Sequence, residues 1–254
     1  MATSMLAISI GNTRCRIGAV VNGKLVESAA ALHQNFSAIT KLLEDGFYFI
    51  RNEERPLALL SSACPPVAER VVDAIDQSLG LPVLRIEQEV PIPIGRQLDP
   101  EAIVGEDRLL NAAAAYDVMK QACVVVDAGT AITVDFVDGA GTFHGGAIAP
   151  GAALMLDALA RGTASLPEVE LAAPQEVIGH NTVEAIRCGV FHGLRGMVRE
   201  LTERYAEVAG NYPIVIATGG DAALLFEGYE LVDRIVDDLV LRGMLVAMAS
   251  VPRG

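Results

Sequence analysis

Two glycine-containing turns that follow apolar runs are the features of this sequence best suited to bind phosphate. The run Met5–Ile10 ends in Gly11-Asn12-Thr13, and residues 122–126 end in Asp127-Ala128-Gly129-Thr130. A strand that ends in a glycine turn exposes consecutive backbone N–H groups, and small hydroxyl side chains add further donors. A third buried run ends in Thr218-Gly219-Gly220. Either turn alone is also consistent with an ordinary β-turn, but the matched copies favour a triphosphate held from opposite sides of a cleft.

An acidic residue at a predicted helix start offers a general base. The sequence Gly105-Glu106-Asp107-Arg108 precedes a helical pattern, and the N-terminus of a helix favours a nearby carboxylate. An aspartate there could accept the proton of an alcohol, and Arg108 could bind a carboxylate or phosphate in a fork. The residues alone leave a second reading open, in which this is a helix start with a surface ion pair.

Other residues near these turns could hold a cation or a ligand. Asp127 lies at the carboxyl end of a predicted strand, a usual position for a cation-binding carboxylate. The glycines of residues 145–151 permit close approach of a ligand to the backbone, or they mark a bulge and a bend. His144 is predicted to be structural. The sequence has no P-loop pattern, no G-x-G-x-x-G after a strand, no Cys/His zinc spacing and no nucleophile elbow.

The surrounding sequence predicts a mixed α/β protein in which one plan occurs twice. Asn22-Gly23 between apolar runs predicts a hairpin turn, and residues 138–141 form a similar turn after the second glycine motif. Strand, glycine turn, strand, turn and strand therefore recur, which suggests a duplicated domain. The boundary is expected near residues 112–121, with domains of residues 1–115 and 116–254. Further strands are predicted at 56–62, 81–86 and 213–217, and helices at 67–79, 105–120, 152–160, 182–209, 222–226 and 239–249.

Composition argues against several classes of function. A formal charge of -13 with only three lysines disfavours binding to nucleic acid or to an anionic membrane. Backbone amides can still hold a small anion. The four cysteines are scattered without metal-ligand spacing, which suits reduced, structural thiols.

The sequence also predicts a soluble, cytoplasmic protein. No basic segment precedes the first apolar run, so a signal peptide is not predicted. Residues 139–156 lack formal charge, but glycines and Pro150 interrupt them. They are predicted as a buried loop and the start of a helix, not as a membrane span.

Taken in order, these motifs resemble those of the type III pantothenate kinases, also described as Bvg accessory factor-like proteins. The resemblance extends over nearly the whole chain, and the ordered set is far more specific than any one motif. It implies two similar actin-like (ribonuclease H-like) domains of the acetate/sugar kinase, heat-shock chaperone and actin superfamily. The segments that carry it, besides those quoted above, are 61–65, 145–151, 165–167, 181–186 and 239–243.

The resemblance implies a role for each candidate residue. Asp107 would accept the proton of the primary hydroxyl of pantothenate, and Asp127 would hold a monovalent cation, potassium or ammonium. Family members are homodimers with the second domain at the interface, so a homodimer is implied. Pantothenate would also be bound by Gly105, Glu106, Arg108 and Thr182. ATP, with magnesium, would be bound by Ser9, Ile10, Gly11, Asn12, Thr13, Arg14, Cys15, Arg16, Thr130, Gly219 and Gly220.

Two positions depart from the family pattern. The first phosphate motif opens with aspartate in the family (D-x-G-N-T), whereas this chain has Ser9, which supplies no charge to a metal ion. Arg16, where lysine is frequent, keeps the positive charge. A substrate-contacting tyrosine usually precedes the G-x-D-R motif by about seven residues, and Leu98, beside Gln97, stands there instead.

Three hypotheses follow for the function. The first is ATP-dependent phosphorylation of pantothenate to 4′-phosphopantothenate, the first step of coenzyme A synthesis. In the second, motivated by Ser9 and Leu98, the protein binds nucleotide or pantothenate without efficient transfer. In the third, a kinase of the same superfamily acts on a different small alcohol.

Overall fold

The computed structural model describes residues 4–251 of the chain, which fall into two compact units. The first unit comprises the residues up to Gly95, Asp99–Val118 and the residues from Asp238 onward. The second comprises Arg96–Leu98 and Met119–Asp237. None of the helices within residues 4–251 is long and apolar enough to cross a membrane.

The first unit is built on a five-stranded sheet with the strand order β3-β2-β1-β4-β5. The strand β1 pairs antiparallel with β2 and parallel with β4. One face of the sheet, which includes Leu6, Ile8 and Ile10, packs in a core with apolar residues of the helices. The strands are β1 (Met5–Ile10), β2 (Arg14–Val21), β3 (Lys24–Leu32), β4 (Leu57–Ser62) and β5 (Val83–Arg85), and the helices are α1 (Phe36–Ile50), α2 (Pro65–Ser78), α3 (Glu106–Met119) and α7 (Leu239–Ser250).

The turn between β2 and β3 has the geometry that the sequence predicts. Asn22 and Gly23 both have positive φ, 52° and 75°, as a two-residue type I′ turn requires. The prediction of a hairpin at Asn22-Gly23 is confirmed. The register of β1 with β2, which the first glycine turn joins, places Arg16 beside Ser9.

The second unit repeats the arrangement of strands found in the first. Its six-stranded sheet has the order β11-β10-β7-β8-β9-β6, in which β7 is antiparallel to β8 and parallel to β10. Three antiparallel strands followed by parallel ones are therefore present in both sheets, and the predicted duplication is confirmed. The strands are β6 (Gly95–Arg96), β7 (Cys123–Ala128), β8 (Ala131–Val137), β9 (Thr142–Pro150), β10 (Ile214–Thr218) and β11 (Arg234–Ile235), and the helices are α4 (Ala152–Gly162), α5 (Thr182–Ala209) and α6 (Ala222–Phe226).

Thr142–Pro150 forms the strand β9, as the repeated plan predicts after the turn at residues 138–141. The interpretation of residues 139–156 as a buried loop and the start of a helix is wrong for this part of the chain. A register shift lies opposite residues 135–137 of β8, and Gly145 there has a φ of +88°. The glycines of residues 145–151 were interpreted as permitting close approach of a ligand or as marking a bulge, and the bulge is present in the sheet. The loop interpretation failed because glycine and proline weaken a strand pattern that pairing with β8 stabilises here.

The helix α7 packs within the first unit. A Cβ placed at Gly243 would lie 2.1 Å from the carbonyl oxygen of Leu110, so only glycine permits α7 to lie so close to α3. The sequence division at residues 115/116 assigned this helix to the second domain, whereas its packing assigns it to the first unit. The functional boundary between the domains stays a prediction.

Candidate active site

The first glycine turn joins β1 to β2 and is closed by backbone bonds. The N–H of Gly11 donates to the carbonyl of Arg14 at 3.0 Å, and the N–H of His33 donates to the carbonyl of Thr13 at 3.0 Å. Asn12, Thr13 and Arg14 are exposed at the tip. The exposed part of the predicted ATP-binding segment is therefore the tip of this hairpin.

Two members of the predicted ATP-binding segment have buried side chains. Ile10 is 1% exposed and Cys15 is 0% exposed. Burial raises the pKa of the Cys15 thiol to about 12, so this thiol stays neutral near pH 7. The carbonyl of Ile10 accepts a bond of 2.7 Å from the N–H of Ala63. The Ile10 and Cys15 side chains thus belong to the core, and any contact that these residues make with a ligand would be through the backbone.

Ser9 lies in a row of register partners that crosses the sheet. Its neighbours are Ser61 on β4 and Arg16 on β2. Register partners on adjacent strands project from the same face of a sheet. Ser9 is 7% exposed and Ser61 is 3% exposed, so two hydroxyl groups are buried side by side near the end of β1.

Arg16 is bound to a carboxylate of the protein itself. It forms an ion pair with Asp238, the residue before α7, and the Ser28 hydroxyl donates to the same carboxylate. The Arg16 side chain is 32% exposed and that of Asp238 is 11% exposed. Sequence reasoning missed this partner, because nothing near Arg16 in the chain indicates Asp238.

The start of α3 carries the predicted base, as the sequence indicates. Glu106 and Asp107 occupy the first turn of the helix. One oxygen of the Asp107 carboxylate accepts a bond of 2.9 Å from the N–H of Arg108. A Cβ placed at Gly105 would lie 2.5 Å from that same oxygen. Glycine at position 105 therefore leaves the space in which the Asp107 carboxylate lies.

Glu106 connects the start of α3 to the end of β4. Its Oε2 atom accepts bonds from the Ser61 hydroxyl at 2.8 Å and from the N–H of Ser62 at 3.1 Å. Burial raises the pKa of the Glu106 carboxyl above its ordinary value, and nearby Glu87 and Asp107 add to the rise, while the bonds from Ser61 and Ser62 oppose it. Sequence reasoning predicted Glu106 as a substrate contact and missed its bond to Ser61.

The second glycine turn joins β7 to β8 in the second unit. The N–H of Gly129 donates to the carbonyl of Ala131 at 3.1 Å, and the N–H of Gly151 donates to the carbonyl of Thr130 at 3.0 Å. A Cβ placed at Gly151 would lie 2.1 Å from the carbonyl oxygen of Gly129. Only glycine at position 151 permits this approach, which fixes the turn and leaves Thr130 exposed.

The turn after β10 lies beside Asp127. Thr218 is the register partner of Asp127, and the N–H of Asp221 donates to the carbonyl of Ala128 at 3.0 Å. A Cβ placed at Gly219 would lie 2.6 Å from Oδ1 of Asp127. The structure therefore brings together Asp127, Thr130, Gly219 and Gly220 of the predicted site.

The remaining predicted residues lie outside these turns. Thr182 is the exposed first residue of α5, after the N-cap Asn181, whose side chain accepts a bond of 3.0 Å from the N–H of Glu184. Leu98, where the family pattern has tyrosine, approaches Gly145, because a Cβ placed at Gly145 would lie 3.5 Å from its Cδ2.

His144 has a structural partner. Its Nε2 lies 2.8 Å from Oδ2 of Asp138, in the turn before β9, so the predicted structural role has a partner within the second unit. Within residues 4–251, no group of three or more His, Cys, Asp or Glu side chains could hold a metal ion. Asp127 is therefore not part of such a cluster.

Comparison with known proteins identifies the family. The family model described as type III pantothenate kinase matches residues 5–204. The chain belongs to the type III pantothenate kinase family. A type III pantothenate kinase of Dehalococcoides mccartyi (strain ATCC BAA-2266) is 34% identical over 253 residues, covering 97% of each chain. Another, from Ruegeria pomeroyi, is 42% identical over 189 residues, covering 74% of this chain and 73% of the relative.

Solved structures of other proteins share the fold of this chain. A Campylobacter jejuni protein described as a Baf family transcriptional activator superposes with a TM-score of 0.63 at 19% identity, covering 96% of this chain and 97% of the other. At this level of identity the likeness concerns the fold alone. The predicted actin-like fold is confirmed for this member of the type III pantothenate kinase family.

Proposed function

We propose that this chain transfers the γ-phosphoryl group of ATP to pantothenate, giving 4′-phosphopantothenate in the first step of coenzyme A synthesis. The observation that carries the proposal is the family match over residues 5–204, which includes the G-x-D-R motif at the start of α3. The glycine turns after β1, β7 and β10 supply the donor groups that a nucleotide phosphate needs.

Asp107 is the proposed proton acceptor for the primary hydroxyl of pantothenate. The bond from the N–H of Arg108 holds one carboxylate oxygen at the helix start and leaves the other for the substrate hydroxyl. The hydroxyl oxygen forms a bond to the γ-phosphorus while the bond to the bridging oxygen of ADP breaks, and the proton passes to Asp107. Gly105, Glu106, Arg108 and Thr182 are the other proposed pantothenate contacts.

The ATP phosphates are proposed to bind at the glycine turns. Backbone N–H groups at the tip of the first hairpin, together with the exposed Thr130, stabilise negative charge on the phosphoryl group during transfer. Gly219 and Gly220 are proposed to lie near the adenosine part. Arg16 is also proposed to contribute to phosphate binding, and its ion pair with Asp238 limits that contribution.

The oxygen atoms at these turns support the proposal that the protein binds the cations that the family implies. Monovalent cations and magnesium are held by oxygen atoms. The space that a Cβ at Gly219 would fill lies 2.6 Å from Oδ1 of Asp127, so this carboxylate suits a potassium or ammonium ion. The Ser9 and Ser61 hydroxyl groups, buried on adjacent strands near the end of β1, offer oxygen atoms to a magnesium ion. Magnesium, when bound, neutralises charge on the phosphate oxygens.

A homodimer and a preference for pantothenate complete the proposal. The dimer is proposed from family membership, with the second unit at its interface. Leu98, in place of tyrosine, removes one hydroxyl group from the proposed substrate pocket, so a panel of small alcohols is the appropriate test of preference.

A direct assay of product formation tests the proposed reaction. Purified protein with ATP, magnesium, potassium and pantothenate is expected to form 4′-phosphopantothenate above a control without enzyme. Asp107→Asn keeps the shape of the side chain and removes the base, so we expect the rate to fall about 100-fold or more. Asp73→Asn, at an exposed position of α2, is the matched control and should leave the rate unchanged.

Two outcomes of this assay would contradict the proposal. If no product forms while ATP still binds, the chain is a nucleotide-binding relative that lacks transfer. If another small alcohol is phosphorylated much faster than pantothenate, the chain is a kinase of that alcohol.

A further inference from the structure

The first and second glycine turns obtain their carboxylate from different places. Ser9 and Asp127 occupy equivalent positions in the duplicated plan, each two residues before the glycine of its turn. Their partners on the parallel neighbouring strand are also equivalent, Ser61 for Ser9 and Thr218 for Asp127. The second turn thus has its own carboxylate beside a hydroxyl, whereas the strand before the first turn supplies only hydroxyl groups at this point.

A carboxylate from the helix α3 reaches the end of β4, the strand that pairs with β1 before the first turn. Oε2 of Glu106 accepts the bonds from Ser61 and Ser62, at 2.8 Å and 3.1 Å. Ser61 lies directly beside Ser9 in the parallel register. These bonds use one oxygen of Glu106 and leave Oε1 for another partner. A carboxylate is therefore bound to the register partner of Ser9, the residue that is equivalent to Asp127.

We propose that Glu106 supplies from α3 the negative charge that Ser9 does not, and that this charge acts on the divalent cation accompanying the nucleotide phosphates. The inference rests on the proposed kinase function, because a nucleotide brings the cation to the first turn. Hard divalent cations prefer carboxylate oxygen, which fits this assignment. Glu106 is thereby a residue of the nucleotide site in addition to its predicted place in the pantothenate site.

A purely structural role for Glu106 is the competing explanation, and Glu106→Gln separates the two. The amide oxygen of glutamine can accept the same bonds from Ser61 and Ser62, so the variant keeps the connection between α3 and β4. It removes only the charge. A structural residue would tolerate this change, whereas a residue that acts on a cation would not.

Calorimetric measurement of ATP binding tests the inference. Wild type and Glu106→Gln are titrated with ATP in excess magnesium and, separately, with ATP in excess chelator. We expect the variant to bind ATP about tenfold or more weakly in magnesium and to match wild type in chelator. Glu89→Gln removes one exposed charge from the same unit and should match wild type in both titrations.

A double variant places the negative charge on β1 instead of on α3. Adding Ser9→Asp to Glu106→Gln places a carboxylate at the position equivalent to Asp127, and we expect magnesium-dependent affinity to recover. Thermal unfolding of each variant checks that the first unit is intact.

The outcomes separate this inference from the proposed function. Equal affinity of Glu106→Gln and wild type in magnesium overturns it, as does equal weakening in magnesium and in chelator, or failure of the double variant to recover. If the magnesium-specific loss and recovery are found but wild type forms no phosphopantothenate, the role of Glu106 stands and the kinase proposal fails. If wild type binds no ATP, both are wrong.

Discussion

Among single residues, Gly219 combines a backbone conformation that favours glycine with a position beside Asp127, the proposed cation ligand. Its φ is +99°, which lies in the region that side chains disfavour. A Cβ at this position would lie 2.4 Å from the carbonyl oxygen of Ala128 and 2.6 Å from Oδ1 of Asp127. The neighbouring Gly220 has open space around it. The two adjacent glycines therefore have different physical reasons to be present.

Gly219→Ala should destabilise the protein and displace Asp127. Strain at positive φ and overlap with the backbone of Ala128 together should cost about 2 kcal/mol or more. Thermal unfolding measures the loss of stability, and the dependence of ATP binding on potassium measures the displacement of Asp127. Gly220→Ala is the matched control for stability and should unfold at nearly the wild-type temperature. Equal unfolding temperatures for the two variants would contradict this account.

At the scale of elements, hairpins and the longest helix were predictable, while some other elements were not. Asn22-Gly23 specifies a turn through its own backbone preference, and α5 was predicted with its observed bounds, Thr182–Ala209. The helix α1 was not predicted, although Ile39, Leu43 and Ile50 are spaced to lie on one buried face. Its pattern is weakened by Gly46 and by aromatic residues, and packing on the sheet stabilises it.

The candidate site was predictable where its residues are neighbours in sequence. Each glycine turn and the start of α3 is a local segment, so composition and order sufficed. The partners of these segments were not predictable, because Asp238 is far from Arg16 in sequence and Glu106 is far from Ser61. Such pairs depend on the register of β1, β2 and β4 and on the packing of α3 and α7, which no local pattern encodes.

The start of α7 is expected to depend on Asp238. This residue has a φ of 57° and accepts bonds from Arg16 and Ser28, so it connects α7 to the sheet. Asp238→Asn retains a side chain that tolerates positive φ and removes the charge. Because Arg16 is partly exposed to water, the expected loss is only about 1 kcal/mol, measured by thermal unfolding.

An exposed ion pair provides the matched control for Asp238→Asn. Asp157 pairs with Arg161 on α4 at 2.7 Å, with side chains 47% and 81% exposed. Asp157→Asn should change the unfolding temperature very little. If both variants unfold at the wild-type temperature, Asp238 does not anchor α7. If Asp238→Asn also strengthens ATP binding, Asp238 competes with the nucleotide for Arg16.

For the whole molecule, the duplicated sheets have diverged at the residues that would do chemistry. Both units keep three antiparallel strands, a glycine turn and a parallel neighbour. Within residues 4–251, the first unit has the proposed proton acceptor, Asp107, at a helix start, and the second has an acidic residue, Asp127, two positions before its turn glycine. The duplication therefore preserves backbone donors for phosphate, while the carboxylates distinguish the proposed acceptor site from the proposed cation site.

The proposed homodimer gives a prediction for the whole molecule. In the second unit, Ile148 on β9 is 63% exposed and Leu154 on α4 is 45% exposed, and the two elements follow one another in sequence and pack together. Exposed apolar side chains on two elements that pack together suit contact with a second copy. Sedimentation equilibrium should therefore give a mass twice the chain mass of 26.7 kDa. Ile148→Asp or Leu154→Asp should shift the equilibrium to the monomer, because an unpaired charge is costly to bury.

Tyr48→Asp, at a position of α1 that is 63% exposed in the first unit, is the control variant and should leave the dimer intact. A monomeric wild type would contradict the dimer, and dimers of both aspartate variants would place the interface elsewhere on the second unit.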